Sequence, residues 1–254
     1  MNRSARRAAL LSAPLLAAAL LAGCGGSSAP TTTASPAAST TASASPTTSA
    51  TKPTAGELFK QAKAAALAAK SARVAGEMSL GGKQATLDIA GDMAGTNQKM
   101  LMSQTGIGKF ELLTVDGKYY MKADDAFWTA NAGKAAAGMV ANKQVLLPAD
   151  KAKAMGDFTL GSLIQKMFSG ASASAVEAST APVTETTLDG KPAYVLSSKP
   201  GEEAELLVSA DGKAQILAIK GPAKDPGLMK FSEWDAVAPF AAPAASDIVT
   251  LPGS

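Results

Sequence analysis

The chain has 254 residues, of which 24 are Lys or Arg, 21 are Asp or Glu and none is His. With no histidine, and Cys24 as its one cysteine, it excludes Ser-His-Asp and Cys-His catalysis and the usual nitrogen and sulfur zinc sites. The net charge of +3 comes from Arg3, Arg6 and Arg7; the remainder balances at 21 of each sign, with no basic footprint for nucleic acid.

The first elements are signals for export. "MNRSARR" followed by "AALLSAPLLAAALLAG" has the charged-then-apolar layout of a secretory signal peptide, residues 1–23, too short for a stable span. Leu21-Ala22-Gly23-Cys24 resembles the lipobox of bacterial lipoproteins. That resemblance implies cleavage before Cys24 and acylation of it (palmitate among the chains), with the mature protein lipid-anchored on the extracytoplasmic face of the cell membrane. Each buried methylene contributes about 0.8 kcal/mol, so two or more chains hold stably where one does not.

Residues 24–53 form the lipidated N-terminus and a Ser/Thr/Ala/Pro tether. The tether has no large apolar residue and almost no charge, so it cannot offset its ordering entropy and is expected to be disordered. Residues 54–254 are enough for a folded body. Thr54 and Glu57 have capping-box spacing ahead of an alanine-rich helix, with Leu58, Ala62, Ala65 and Ala69 on one face and Lys60, Lys63 and Lys70 on another. From Val74 the period becomes two. "VAGEMSL", "ATLDIAGDM", "KMLMSQ", "KFELLTV" and "KYYMK", then "KPAYVLSSK", "AELLVSA" and "KAQILAIK", predict an antiparallel meander of about eight to ten strands. Asp-Gly-Lys at 116–118, 189–191 and 211–213 marks strand reversals.

Between the strand blocks, "DDAFWTANAGKAAAGMVANKQVLL" predicts a short helix or two. The stripe Leu160, Leu163, Ile164, Met167 and Phe168 predicts another, capped by Asp157 or Thr159 and ended by Gly170. Gly161 is expected to weaken that helix by about 1 kcal/mol. Several strands fail to alternate cleanly: Phe110 and Leu112 oppose Leu113 and Val115, and Ile216 opposes Leu217 and Ile219. Both sheet faces are therefore covered in places, or one lines something apolar. The body's many methionines suit a pocket for variable chains, or fill gaps in a curved sheet.

The Ser-x-x-Lys spacing of Ser49 and Lys52 falls in the tether, and Asp88 with Asp92 reads as ordinary strand charge, so nothing argues for an enzyme, a metal or a cofactor. The order of lipobox, tether, helix, "LLTVDGKYYMK", Trp-bearing insertion, "FTLGSLI", second strand block and closing "LMKFSEWDAVAPFAAPAASDIVTL" resembles the LppX/LprG-type lipoproteins of actinobacteria, within the LolA/LolB-like superfamily. The resemblance spans residues 56–251 and is one of pattern. It implies an α+β fold, a curved, half-open antiparallel β-sheet (an incomplete barrel) with helices packed on its concave face, enclosing an apolar cavity for lipid or glycolipid acyl chains. By position the cavity candidates are Met78, Leu80, Leu87, Ile89, Phe110, Leu112 and Met121, with Leu163, Ile164 and Met167 from the insertion helix. Phe127, Trp128 and Gly133 would form a movable rim. The expected function is carriage or presentation of lipid in the envelope, with no protein partner indicated. The rival is an envelope interaction or sensor domain built on the same fold with a solid core.

Overall fold

The computed structural model describes residues 52–148, 151 and 158–250; the signal peptide, Cys24, nearly all of the tether and Asp157 lie outside the described residues. Helix α1 (Ala55–Ala68) starts on the expected capping box, where Thr54 Oγ1 accepts from Glu57 N–H and the Glu57 carboxylate accepts from Thr54 N–H. Its buried stripe is Ala55, Leu58, Phe59, Ala62 and Ala66, which leaves Ala65 exposed, one position away from the face expected.

Five strands follow: β1 (Ser71–Leu80), β2 (Lys83–Asp92), β3 (Asn97–Gln104), β4 (Gly108–Val115) and β5 (Lys118–Ala123). Helix α2 (Asp125–Val140) is broken at Gly133, whose φ of 83° ends one helical segment and begins the next. Strand β6 (Gln144–Leu146), helices α3 (Leu160–Met167) and α4 (Ala171–Glu177), and strands β7 (Thr184–Leu188), β8 (Lys191–Leu196), β9 (Glu205–Ser209), β10 (Ile216–Lys220), β11 (Leu228–Ser232) and β12 (Ile248–Thr250) complete the body. Helix α3 is capped by Thr159. Gly170 stands after its end as the N-cap of α4, with φ of 98°, rather than as the residue that stops α3.

The described strands form one sheet in the order β12-β6-β5-β4-β3-β2-β1-β11-β10-β9-β8-β7. The two meanders join where β1 pairs with β11, and β12 and β7 are left as unpaired edges, so the sheet stays open. All three Asp-Gly-Lys tripeptides connect antiparallel neighbours. Asp116 and Gly117, and likewise Asp189 and Gly190, both take positive φ, the conformation of a tight hairpin turn. The sheet is antiparallel except for β6 and β12, which are parallel because the chain crosses the outer face to reach that edge.

The crossing segment explains part of the failed alternation. Asn97 grips Phe240 at both backbone groups, at 2.7 and 2.8 Å. Phe240 packs with Ile248 and Leu146 against Leu113, Val115 and Tyr120, a small second core on the convex side. The other anomaly is a bulge: the β9–β10 register shifts between Ile216 and Ala218, so Ile216 and Ile219 both meet inward residues of β9 instead of opposing each other. On the inner face, residues of α1, α2, α3 and α4 join the sheet in the main core.

The scattered carboxylates have structural work. Asp88 binds Arg73 through both oxygens, at 2.9 and 2.6 Å. Asp92 closes the β2–β3 turn by accepting from Thr96 N–H, Thr96 Oγ1–H and Asn97 N–H. Burial by itself would raise the Asp92 carboxyl, but these donors hold it below its usual value. A lowered native pKa gives stability that is present above the unfolded carboxylate value and lost as pH falls through the native one. The protection factors of the Thr96 and Asn97 amides, rates taken relative to intrinsic exchange at each pH, are therefore expected to fall on acidification before those of Ala72 and Ile89, and Asp92→Asn should remove that pH dependence. Gly161→Ala sets two effects against each other. Alanine favours the helix by about 1 kcal/mol, but its Cβ would stand 2.3 Å from the Met93 carbonyl oxygen, and Gly161 N–H donates to that same oxygen at 3.1 Å. The contact should win, with a net loss of about 1–3 kcal/mol in urea unfolding; a gain would show that α3 shifts freely on the sheet.

Candidate functional site

Inward side chains form two rows that cross the sheet by register. One runs Val208–Ile216, then Phe231–Val74–Ile89–Met100–Leu112–Met121–Val145. Every member is buried. The second runs Leu196–Leu206–Ile219–Met229–Gly76–Leu87–Met102–Phe110–Ala123 across eight hydrogen-bonded strand pairs. Here Leu206, Ile219, Met229, Met102 and Phe110 are only half-buried. The second row is thus an apolar strip that the helices leave partly uncovered.

The predicted site residues divide accordingly. Ile89, Leu112 and Met121 lie in the covered row, and Ile164 of α3, 1% exposed, is buried with them. Leu87 and Phe110 belong to the half-covered row, while Met78, Leu163 and Met167 are half-buried against the core beside it. Leu80 stands apart at the β1–β2 turn, 41% exposed. Cys24 is outside the described residues.

Beneath α3 and α4 lies a cavity of about 130 Å³ lined by Phe59, Met167 and Phe168 from the helices and by Leu196, Leu206 and Ile219 from the strip. Phe59 and Phe168 meet edge to face at 5.5 Å and form its inner wall. Its lining turns polar at Ser169, Ser172, Ser198 and Glu205. Nearby, hydrogen bonds from Ser198 and Ser172 hold the Glu203 carboxyl below its usual value. Larger depressions, of about 420, 420 and 330 Å³, lie mainly over outward-pointing residues, around Leu101 with Lys109, Glu111 and Lys122, around Ala75, Glu77 and Lys230, and around Arg73, Lys99 and Glu233. Their charged walls make them poor places for a hydrocarbon chain. At the β4–β5 end of the strip, Phe110 lies 5.2 Å from Phe127, which meets Trp128 edge to face at 5.6 Å.

Two anchors hold the helices over the strip. Asp124 caps α2 through Phe127 N–H at 2.8 Å and also accepts from Lys109 N–H of β4 at 2.9 Å. Gln98, 3% exposed, points inward from β3; its Oε1 accepts from Leu160 N–H at 2.7 Å and its Nε2–H donates to Phe158 O at 3.1 Å. Sequence reasoning passed over Gln98, although it falls in phase with Met100 and Met102, a buried polar side chain among apolar ones. It also passed over Leu206 and Phe59, and it placed Phe168 in the helix stripe and Met229 among the body's methionines without assigning either to the cavity. Among the described residues no cluster of His, Cys, Asp or Glu could hold a metal ion, and no helix is long and apolar enough to cross a membrane.

No family model and no curated protein sequence matches the chain. Among solved structures it is similar to LprF from Mycobacterium bovis, at 15% identity over 76% of this chain and 100% of that one, with a TM-score of 0.45. It is also similar to the lipoprotein LppX of Mycobacterium tuberculosis, at 12% identity over 72% of this chain and 96% of that one, TM-score 0.40. A third likeness is to MucB in its complex with MucA from Pseudomonas aeruginosa, at 15% identity over 76% of this chain and 59% of that one, TM-score 0.33.

Replacing Gln98 by Leu keeps the bulk and removes its bonds to Leu160 of α3 and to Phe158 just before the helix, leaving the Leu160 N–H buried without its acceptor. The expected cost is about 2 kcal/mol in denaturant unfolding, with faster amide exchange confined to α3 and α4. Unchanged exchange there would show that the Thr159 cap alone holds the helix.

Proposed function

We propose that the protein is a membrane-anchored, non-enzymatic lipoprotein that holds the acyl chains of lipids or glycolipids against the half-covered strip, for carriage or presentation on the extracytoplasmic face of the membrane. The observation that carries this reading is the strip itself: apolar side chains in register across the sheet, left partly open beside a cavity whose lining is apolar except at one end. Each Å² of apolar surface removed from water contributes about 25 cal/mol, so an alkyl chain lying along the strip needs no charged partner.

The cavity of about 130 Å³ has the bulk of only about four water molecules. A long chain would therefore run on along the strip, or part α3 and α4 from the sheet. That small volume is also what favours the rival reading, a solid envelope interaction or sensor domain.

The deciding experiment is native mass spectrometry of the chain from residue 24 onward, carrying Cys24→Ser, secreted without an anchor and purified without detergent. The expected result is an adduct of lipid mass, or uptake of added phosphatidylcholine if the protein emerges bare. The double variant Met167→Asp with Ile219→Asp, at two half-buried positions of the cavity wall, should lose the lipid at least tenfold while keeping its circular dichroism. A wild-type protein that neither carries nor takes up lipid would overturn the reading in favour of the solid domain.

A further inference from the structure

Two tryptophans serve the body, and their indole nitrogens are treated differently. Trp234 stacks on Phe231 at 5.9 Å and its Nε1–H donates to Ile216 O at 3.1 Å. Trp128 is more deeply placed, 6% exposed within the main core, and its Nε1–H is buried with no acceptor. A buried donor without a partner is costly, and folded proteins leave few of them. Phenylalanine would fill much of the same space without that cost, so the donor calls for an explanation.

The surroundings narrow the explanation. Trp128 is one ring removed from the half-covered strip, through Phe127 and then Phe110. The Asp124 cap fixes the first turn of α2 against β4, which sets the Trp128 ring in place. The Trp128 ring meets Phe127 edge to face, the other members of the cluster are apolar, and a single N–H among them suits one neutral acceptor better than a charged group. A hydrocarbon chain lacks an acceptor altogether, whereas an acyl chain brings one, its carbonyl oxygen.

We propose that the Trp128 indole N–H is a specificity-determining donor that takes the carbonyl oxygen of a bound acyl group, so that the site prefers ester-linked chains to ether-linked ones. This rests on the lipid-binding reading above and adds to it the chemistry of the linkage. Recognition is a single hydrogen bond in an apolar setting, and no bond in the ligand is broken.

The test uses the secreted Cys24→Ser chain and two probes that differ only at the linkage: dipalmitoyl phosphatidylcholine and its dihexadecyl ether analogue. Wild type should bind the ester about fivefold more tightly, and Trp128→Phe should bind both as wild type binds the ether. Equal affinity of wild type for the two probes, or a preference that survives Trp128→Phe, would overturn the inference while leaving lipid binding intact. Binding of neither probe by wild type would overturn the lipid-binding reading itself, and the inference with it. Because Trp128→Phe could disturb packing, wild-type protein labelled with ¹⁵N at tryptophan supplies a second readout. The Trp128 indole proton should move downfield with the ester and not with the ether, with the Trp234 signal still; identical Trp128 shifts with both probes would also overturn the inference.

Discussion

Everything on the concave side depends on the pairing of β1 with β11. Residues 71–123 and residues 184–232 each make a meander that could close on itself, and this one seam makes them a single surface. Gly76 is where the seam is tightest: a Cβ there would lie 1.9 Å from the Leu228 carbonyl oxygen, so no larger residue fits without moving a strand. The seam lets the apolar strip run unbroken from Leu196 to Ala123. Without it there would be two short apolar patches instead of one continuous track.

The helices then decide which part of the track is core and which is site. Alanines on α1 allow close approach, and Gly56 lies so near the Glu177 and Ser179 carbonyls that only hydrogen fits. Gln98 and Asp124 fasten α3 and α2 from the strands beneath. Helix placement is thus set by a few polar contacts at helix starts, while the apolar contacts supply bulk stability. Such an arrangement suits a face that is only partly covered, since the covered row does not need the uncovered one to stay folded.

Much of this was legible in the sequence, for identifiable reasons. The Asp-Gly turns, the Thr54 capping box and the alternation around Leu87, Phe110 and Leu112 are local signals, and local physics sets them. The split of the candidates was not legible. Leu112 and Phe110 share a face and a strand, and only the helices above bury the first and leave the second half-covered. The shared facing of Ile216 and Ile219 was hidden because a bulge changes the parity without a Gly or Pro to announce it. The segment that leads to Phe240 and Ile248 was hidden because its alanines and prolines have no period, and its role comes from what it crosses.

That crossing segment also constrains the order in which the chain can reach its final form. Strand β12 pairs with β6, joining Ile248 to Gln144 across about a hundred residues of intervening chain. The ground it lies on, Leu113, Val115 and Tyr120, exists only once β4 and β5 are paired. A contact of such long separation forms late and slowly, so a chain emerging from its N-terminus would build the first meander while its last twenty residues were still missing, leaving that second core bare toward solvent for the interval. The convex apolar patch is therefore a window of vulnerability during biogenesis that closes when the final strand arrives, and a chain cut short before Phe240 would never close it.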